Sequence, residues 1–484
     1  MINTEYRENF ITKKVIERCN VYDYLNPNEV TNLMRLDIPM YLSKTTSLDI
    51  FGANKTNLRK IYKQCPLKFI TSRVEALNLS EIEFQKNVLI NATGANAKSI
   101  GKFHFNKVKP GNIAEELVNV LYNQSFVFSE SHQISWLSRR AIGVGENYSF
   151  SPIPVNLYDG LLGIYMFLFY EQGVHSNKKE LLDIIWNSIK IQFQNKENRN
   201  FQNLLDMLYV LLIKYKESNE NKVLKQIYFT IDLIMKDETY LNSLDDMLIG
   251  KSGLLMCLSN LYEITKSTYV LKVANKVCHD IMNTTNDKVG IAHGISGVVI
   301  ALQNYYVKCK KSSSIPATIN QLLSKERKRW DSSNKRWHDQ RKNDNSYLTE
   351  FWCNGEIGIA HSRLVLLEQN YKDSKLRLEL EAAVNNVLFK SLRDDTLCHG
   401  NLGIIYFLQN LLNSKVLNKL NIEKHKVKVY YNKLLKYTFQ HNINLSGVGT
   451  FCENGLYTGV SGAGVVLIRD ESFSKIPDFL IKCI

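Results

Sequence analysis

The sequence predicts an all-α protein: an α/α toroid, a double ring of about seven inner and seven outer helices, preceded by an N-terminal mixed segment. Three observations point there. The second half of the chain is almost free of proline, a pair of glycines recurs at helical-hairpin spacing, and amphipathic stretches fill the intervals.

Prolines stand at positions 27, 39, 66, 110, 152 and 154, and after that only at 316 and 477, so more than 300 residues run almost free of the main helix breaker. The recurring pattern is two glycines three apart followed by an apolar run. Its copies are Gly160/Gly163, Gly250/Gly253, Gly294/Gly297, Gly355/Gly358, Gly400/Gly403 and Gly459/Gly462. First glycines are separated by 90, 44, 61, 45 and 59 residues, so the unit is about 45, the length of a helical hairpin. The doubled first interval predicts a seventh copy without glycines around residues 201–215 (FQNLLDMLYVLLIKY).

Glycines at a helix start allow close backbone approach and leave the first N–H groups accessible, so the apolar runs are expected as inner helices. Amphipathic stretches such as KELLDIIWNSIKIQF and LKVANKVCHDIM are expected as the outer ones. An open solenoid would stack the same hairpins. Closure is preferred because the polar residues beside the glycines, His293, Cys353, Cys398 and His399, come from distant repeats, and only a ring brings them to one rim.

Composition sets the outer limits. The chain has 484 residues, 44% hydrophobic and 22% charged, which suits a folded body of repeats preceded by a smaller segment. The N-terminus lacks the apolar core of a signal peptide, no run is long enough to span a bilayer, and nine scattered cysteines do not make a secreted disulfide framework. A cytoplasmic protein with free thiols or thiolate metal ligands is expected. The net charge of +14 favours an acidic partner. The densest basic cluster, residues 325–342 (KERKRWDSSNKRWHDQRK), has eight basic and three acidic residues and reads as a solvated loop between helices, with an acidic-peptide dock as the alternative.

Three glycine motifs carry chemistry: GIAHGISG (290–297), FWCNGEIG (351–358) and LCHGNLGI (397–404). Cys353, Cys398 and His399 offer two thiolates and an imidazole, a tetrahedral zinc set with the fourth position open, as catalytic zinc requires. Their spacing matches no zinc finger, so the fold must hold them. Cys452, in FCENG, is a spare thiol. An open zinc with two thiolates suits a third thiol, and thiolate addition to a conjugated double bond leaves an enolate to protonate. His293, on the same rim, is the candidate general acid and base.

The motifs GxAHGxxG, WCxG and CHGxxG resemble the lanthionine synthetase C-like family over residues 151–484. The resemblance implies an α/α toroid with one zinc at its mouth, held by Cys353, Cys398 and His399, and His293 as the catalytic histidine. It implies addition of peptide cysteines to dehydroalanine or dehydrobutyrine, forming the thioether rings of lanthipeptides. The family's catalytic aspartate belongs near the first repeat, where VNLYDGLLG makes Asp159 the available carboxylate. Free-standing cyclases carry an arginine and a tyrosine around the first zinc cysteine, where this chain has Thr349 and Asn354.

Those departures, with MRLDIPMY (34–41), SRVEALNLSEIEFQKNVLI (72–90) and NLYDGLLGIYMFL (156–168), look like class II bifunctional synthetases, so residues 1–130 are expected to be the end of a dehydratase domain. TGANAKSIGKF (93–103) lacks phosphate-loop spacing, which leaves dehydration lost or supplied by a separate dehydratase. The implied partner is a precursor peptide with an acidic leader and a Cys/Ser/Thr-rich core, not nucleic acid. Two other readings stay open: a relative adding another thiol such as glutathione, and a non-catalytic peptide-binding toroid with structural zinc. A glycosidase on an α/α barrel is the weakest, because no paired carboxylates mark the glycine motifs.

Overall fold

The computed structural model describes residues 26–35, 37, 40–52, 57–93, 110–141, 148–171, 178–237, 240, 242–309, 312–339, 346–440, 443–445 and 453–484. Cys452 and residues 94–103, both considered above, lie outside the described residues. The chain divides into two compact units, Met1–Lys86 and Asn87–Ile484.

The first unit holds α1 (Asn26–Met34), an antiparallel sheet of β1 (Tyr41–Ser43), β2 (Ile50–Gly52) and β3 (Asn57–Leu58), α2 (Pro66–Glu75) and the start of α3 (Leu79–Thr93). The β1–β2 register pairs Tyr41 with Gly52 and Ser43 with Ile50. Pro66 opens α2, where its missing N–H costs nothing.

In the second unit α4 (Pro110–Gln124) is followed by two short antiparallel hairpins, β4–β5 (Phe126–Phe128, Gln133–Ser135) and β6–β7 (Leu137–Ala141, Tyr148–Pro152). Helical hairpins then follow one another: α5 (Leu161–Tyr170) with α6 (Lys178–Gln192), α7 (Phe201–Ser218) with α8 (Asn221–Lys236), α9 (Lys251–Thr265) with α10 (Thr268–Met282), and α11 (Ile295–Lys308) with α12 (Ser314–Arg327). After a hairpin of β8 (Trp330–Asp331) and β9 (Arg336–Trp337) come α13 (Glu356–Glu368) with α14 (Lys375–Val387), α15 (Asn401–Asn413) with α16 (Lys424–Gln440), and α17 (Val460–Ser472).

The odd-numbered helices from α5 to α17 are the inner ring. Each packs on the next, and α17 packs back on α5, so the ring is closed. This second unit is an all-α toroid with a few small strands. Inner helices are buried on every side: α11 buries eleven consecutive residues, Ile295 to Tyr305. Outer helices such as α8 and α10 bury one stripe only, as their amphipathic patterns predict. α7 is the expected glycine-free copy, and there Asn200 caps the helix by accepting from the Asn203 N–H.

The seventh outer helix does not follow its inner partner in the chain. It is α4, which packs along α17. A helix from the segment before the first glycine motif therefore completes the last hairpin. The basic stretch 325–342, expected as a loop, contains the β8–β9 hairpin. Two of its arginines are engaged: Arg327 binds Asp373 at 2.7 Å and also Glu379, and Arg336 binds Glu356 at 2.9 Å.

The glycines are required by space, since the first of each pair is extended and the second helical, conformations any residue adopts. In each glycine-bearing copy the N–H of the first helical residue reaches back to the carbonyl six residues before the glycine. Glu356 N–H, for example, donates to Thr349 O at 2.9 Å. A Cβ on Gly355 would lie 2.3 Å from that oxygen. The second glycine meets the next loop: a Cβ on Gly358 would lie 2.0 Å from Trp352 O and 2.6 Å from Ile291 Cγ2 of the neighbouring repeat. The first helical N–H is therefore not left accessible, as the sequence suggested; the loop's own carbonyl takes it.

These folded loops are linked around the rim by backbone bonds between residues two before each glycine. Leu248 donates to Ala292 O (3.1 Å), Ala292 to Cys353 O (2.8 Å), Cys353 to Cys398 O (3.3 Å), Cys398 to Tyr457 O (3.0 Å) and Tyr457 to Tyr158 O (2.9 Å). The glycine-free copy replaces this link with a side chain: Asp206 accepts the Leu157 N–H at 3.0 Å and pairs with Lys482 Nζ at 2.8 Å. Lys482 belongs to the segment 477–484, which runs inside the ring. There Tyr457 Oη donates to Phe479 O (2.9 Å) and Asn260 Nδ2 to Lys482 O (3.1 Å).

Candidate metal centre on the glycine rim

The ladder decides which side chains meet. Cys353 and Cys398 occupy the same register of successive glycine motifs and are joined by a backbone bond, so both sulfurs enter one space. His399, one position later, turns its Nε2 to within 3.7 Å of Cys398 Sγ. The His399 N–H is held by Thr396 Oγ1 at 3.2 Å, and the Phe351 ring stands edge-on to the imidazole at 5.5 Å. The three ligand atoms all lie within 4.8 Å of one another.

That geometry fits a metal. In a tetrahedral zinc site the donors stand about 3.5–3.8 Å apart, so a small contraction of this triangle would complete it. The protonation chemistry fits too. A hydrogen bond from Cys398, with help from His399, brings the Cys353 thiol down to about 5 against the push of burial. Burial, and then the Cys353 sulfur, push Cys398 up. Two sulfurs buried this closely share a proton unless a cation replaces it.

Tyr158, in the equivalent place of the first repeat, directs its hydroxyl to Cys398. Its ring stacks on Tyr457 with centroids 4.9 Å apart, and burial pushes its ionisation up, so it remains a neutral donor. Asn354, which stands where free-standing cyclases have their tyrosine, has a buried Oδ1 without a hydrogen-bond partner.

His293 stands one position before its glycine and its side chain is 41% exposed. Its Nδ1 lies 2.8 Å from Asp246 Oδ2, and because a carboxylate only accepts, that nitrogen carries the proton. The hydrogen bond to Asp246, opposed by burial, raises the histidine's pKa above its usual value. Asp246 is 1% exposed, and its other oxygen accepts the Ile249 N–H at 2.8 Å, which fixes the carboxylate within its own loop. The carboxylate that holds His293 is therefore Asp246.

Asp159 shares the rim register of His293 and His399, but its N–H is taken by Asn156 Oδ1 at 2.9 Å and its Cα packs under Gly455. Asp246 escaped the sequence reading because it lies four residues before its glycine, outside the two positions that carry the other site residues. The signal was present in LDDMLIGKSG.

A protein-family model described as lanthionine synthetase C-like protein matches residues 151–481. The chain belongs to the lanthionine synthetase C-like family. Among solved structures, nisin cyclase is similar to it at 18% identity over 68% of this chain and 92% of that one, with a TM-score of 0.52, a likeness of fold. An alpha-1,6-mannanase from Salegentibacter sp. HEL1_6 matches at 11% identity over 75% and 99% of the two chains, with a TM-score of 0.39. A cellobiose 2-epimerase from Bacillus thermoamylovorans matches at 11% over 56% and 87%, with a TM-score of 0.38. No curated protein matches. In this family member no helix among the described residues is long and apolar enough to cross a membrane.

Proposed function

We propose that this chain is a zinc-dependent lanthipeptide cyclase, which adds peptide cysteine thiols to dehydroalanine or dehydrobutyrine and so forms lanthionine or methyllanthionine rings. The observation that carries the reading is the meeting of Cys353, Cys398 and His399 beside a histidine held by a buried carboxylate. Zinc bound by those three residues would supply a Lewis acid that keeps a substrate thiol as its thiolate at neutral pH.

The chain's other residues serve the proton. When the thiolate sulfur bonds to the β-carbon, the double-bond electrons move to the adjoining carbonyl as an enolate. His293, with Nδ1–H committed to Asp246, gives the proton on Nε2 to the α-carbon, and the proton released from the substrate thiol restores it. Asp246 favours the imidazolium and fixes its tautomer. Tyr158 donates to Cys398 and tempers the charge on that sulfur. The open acceptor of Asn354 suits a backbone N–H of the bound peptide. Asp159, the sequence candidate for the catalytic carboxylate, would shape the rim instead.

The precursor class that fits is an acidic leader followed by a Cys/Ser/Thr-rich core, matched to the net charge of +14. The seven described cysteines are all free thiols, as a cytoplasmic enzyme handling thiols requires. The segment before the toroid resembles the end of a class II dehydratase, and the ring-forming step takes a substrate that is already dehydrated. The test mixes the full chain with a dehydrated precursor and counts free thiols by alkylation and mass spectrometry. Thiols should disappear with no change in unlabelled mass; loss no faster than without protein would overturn the proposal.

A further inference from the structure

At the end of the inner helices opposite the glycine rim, α13, α15 and α17 border a cavity of about 350 Å³, closed on one side by residues 473–478. Arg469 lines it. This side chain is 2% exposed and lies over the rings of Tyr406 at 3.8 Å and Phe473 at 4.6 Å. Its Nη2 donates to Asn410 Oδ1 at 2.9 Å, while Nε and Nη1 are buried with no hydrogen-bond partner. A guanidinium withdrawn from water with two donors unmet is costly unless something supplies acceptors.

The acceptor already at hand is occupied. Asp478 takes hydrogen bonds from His361 Nε2 at 3.0 Å, Asn410 Nδ2 at 2.8 Å and the Leu480 N–H at 3.2 Å. Against the push of burial, His361 and Arg469 hold this carboxyl down at about 2, so it stays charged and balances one cation. Lys216 and Lys475 add positive charge to the cavity and Glu368 is the opposing group. Burial pushes the Glu368 carboxyl above its ordinary value. His361 Nδ1 is a second buried nitrogen without a partner.

The geometry points to a second ligand site in this cavity, one that binds a carboxylate through Arg469. A planar monoanion matches unmet guanidinium donors between aromatic walls, whereas the fixed charge of Asp478 opposes a dianion. The carboxylate would come from a small free acid or from an aspartate or glutamate side chain of a peptide. The site is independent of the metal centre, which lies at the other end of helices roughly 20 Å long.

Propionate is the probe, and uncharged propionamide, of the same shape, is its control. Calorimetric titration of the full chain should show one saturable propionate site and no binding of propionamide. Arg469→Gln should weaken propionate roughly tenfold or more. Asn413→Trp, an exposed position on the cavity wall, should block the site without touching the arginine. Equal binding of propionamide, or propionate binding unchanged in Asn413→Trp, would overturn the inference. Should Arg469→Gln fail to fold by circular dichroism, Asn413→Trp decides alone. Once propionate binding is established, its displacement by a blocked glutamyl peptide assigns the ligand to a peptide side chain, and no displacement assigns it to a free acid.

Discussion

Asp246 and His293 stand in the loops of neighbouring repeats, 47 residues apart in sequence, and share a 2.8 Å hydrogen bond. The ring makes that contact, and the contact sets the histidine's charge. With its pKa raised, His293 keeps its proton to higher pH than a free imidazole. The stability this pair adds is fully present below the unfolded histidine's pKa and is lost as pH rises through the folded value. Asp246→Asn should move the descending limb of the cyclisation profile to lower pH, with the largest loss at or above neutrality. A profile lowered equally at every pH would argue against His293 as the proton donor.

The metal ligands can be tested without substrate. Cys353→Ala and Cys398→Ala should each lose stoichiometric zinc by elemental analysis, because two remaining donors hold it weakly. Asp159→Ala should retain it. Zinc unaffected by Cys398→Ala would refute the ligand set.

Tyr158→Phe removes one hydroxyl donor from the Cys398 sulfur and keeps the ring stacked on Tyr457. A hydrogen bond to a charged group is worth about 1.5–3 kcal/mol. Zinc affinity by chelator competition should fall roughly tenfold or more, with the thermal midpoint little changed.

Lys482 and Asp206 form an ion pair with 1% and 4% of their side chains exposed. Lys482→Met leaves the carboxylate buried and should cost about 3–5 kcal/mol in unfolding free energy. Asp206→Leu should cost at least as much, because the Leu157 N–H loses its acceptor as well. The double variant should be less destabilised than the sum of the two, which chemical denaturation can show.

Gly358→Ala places a methyl group 2.0 Å from the Trp352 carbonyl oxygen. Overpacking of this kind costs about 1–3 kcal/mol, and here it also pushes the Cys353 loop. Both the unfolding midpoint and zinc retention should drop.

Repetition made the toroid legible. Six glycine pairs marked six inner helices, and the doubled interval located α7 although it carries no glycine. Cys353, Cys398 and His399 were legible because they keep the register of the glycines, so a ring had to bring them together. Features outside that register stayed hidden. Asp246 sits two positions too early, and α4 takes a place that chain order gives no reason to expect. Within the basic stretch Lys328, Arg329 and Lys335 are exposed, whereas Arg327 and Arg336 look solvated only until Glu356, Asp373 and Glu379 of the next repeat are folded against them.

Because α4 completes the last hairpin and residues 477–484 fill the ring from within, the two extremes of the toroid's sequence meet only when synthesis of that stretch is finished. Earlier hairpins can form as they emerge, yet none can be sealed into a circle. Ring closure must therefore be a late, long-range event, slow in proportion to its sequence separation. A fragment beginning at residue 151 would leave one inner helix uncovered and prone to self-association. Of the contacts at the metal centre, the one from Tyr158 would then wait for closure, since Tyr158 belongs to the first repeat of the circle and meets the Cys398 loop only past Tyr457 of the last.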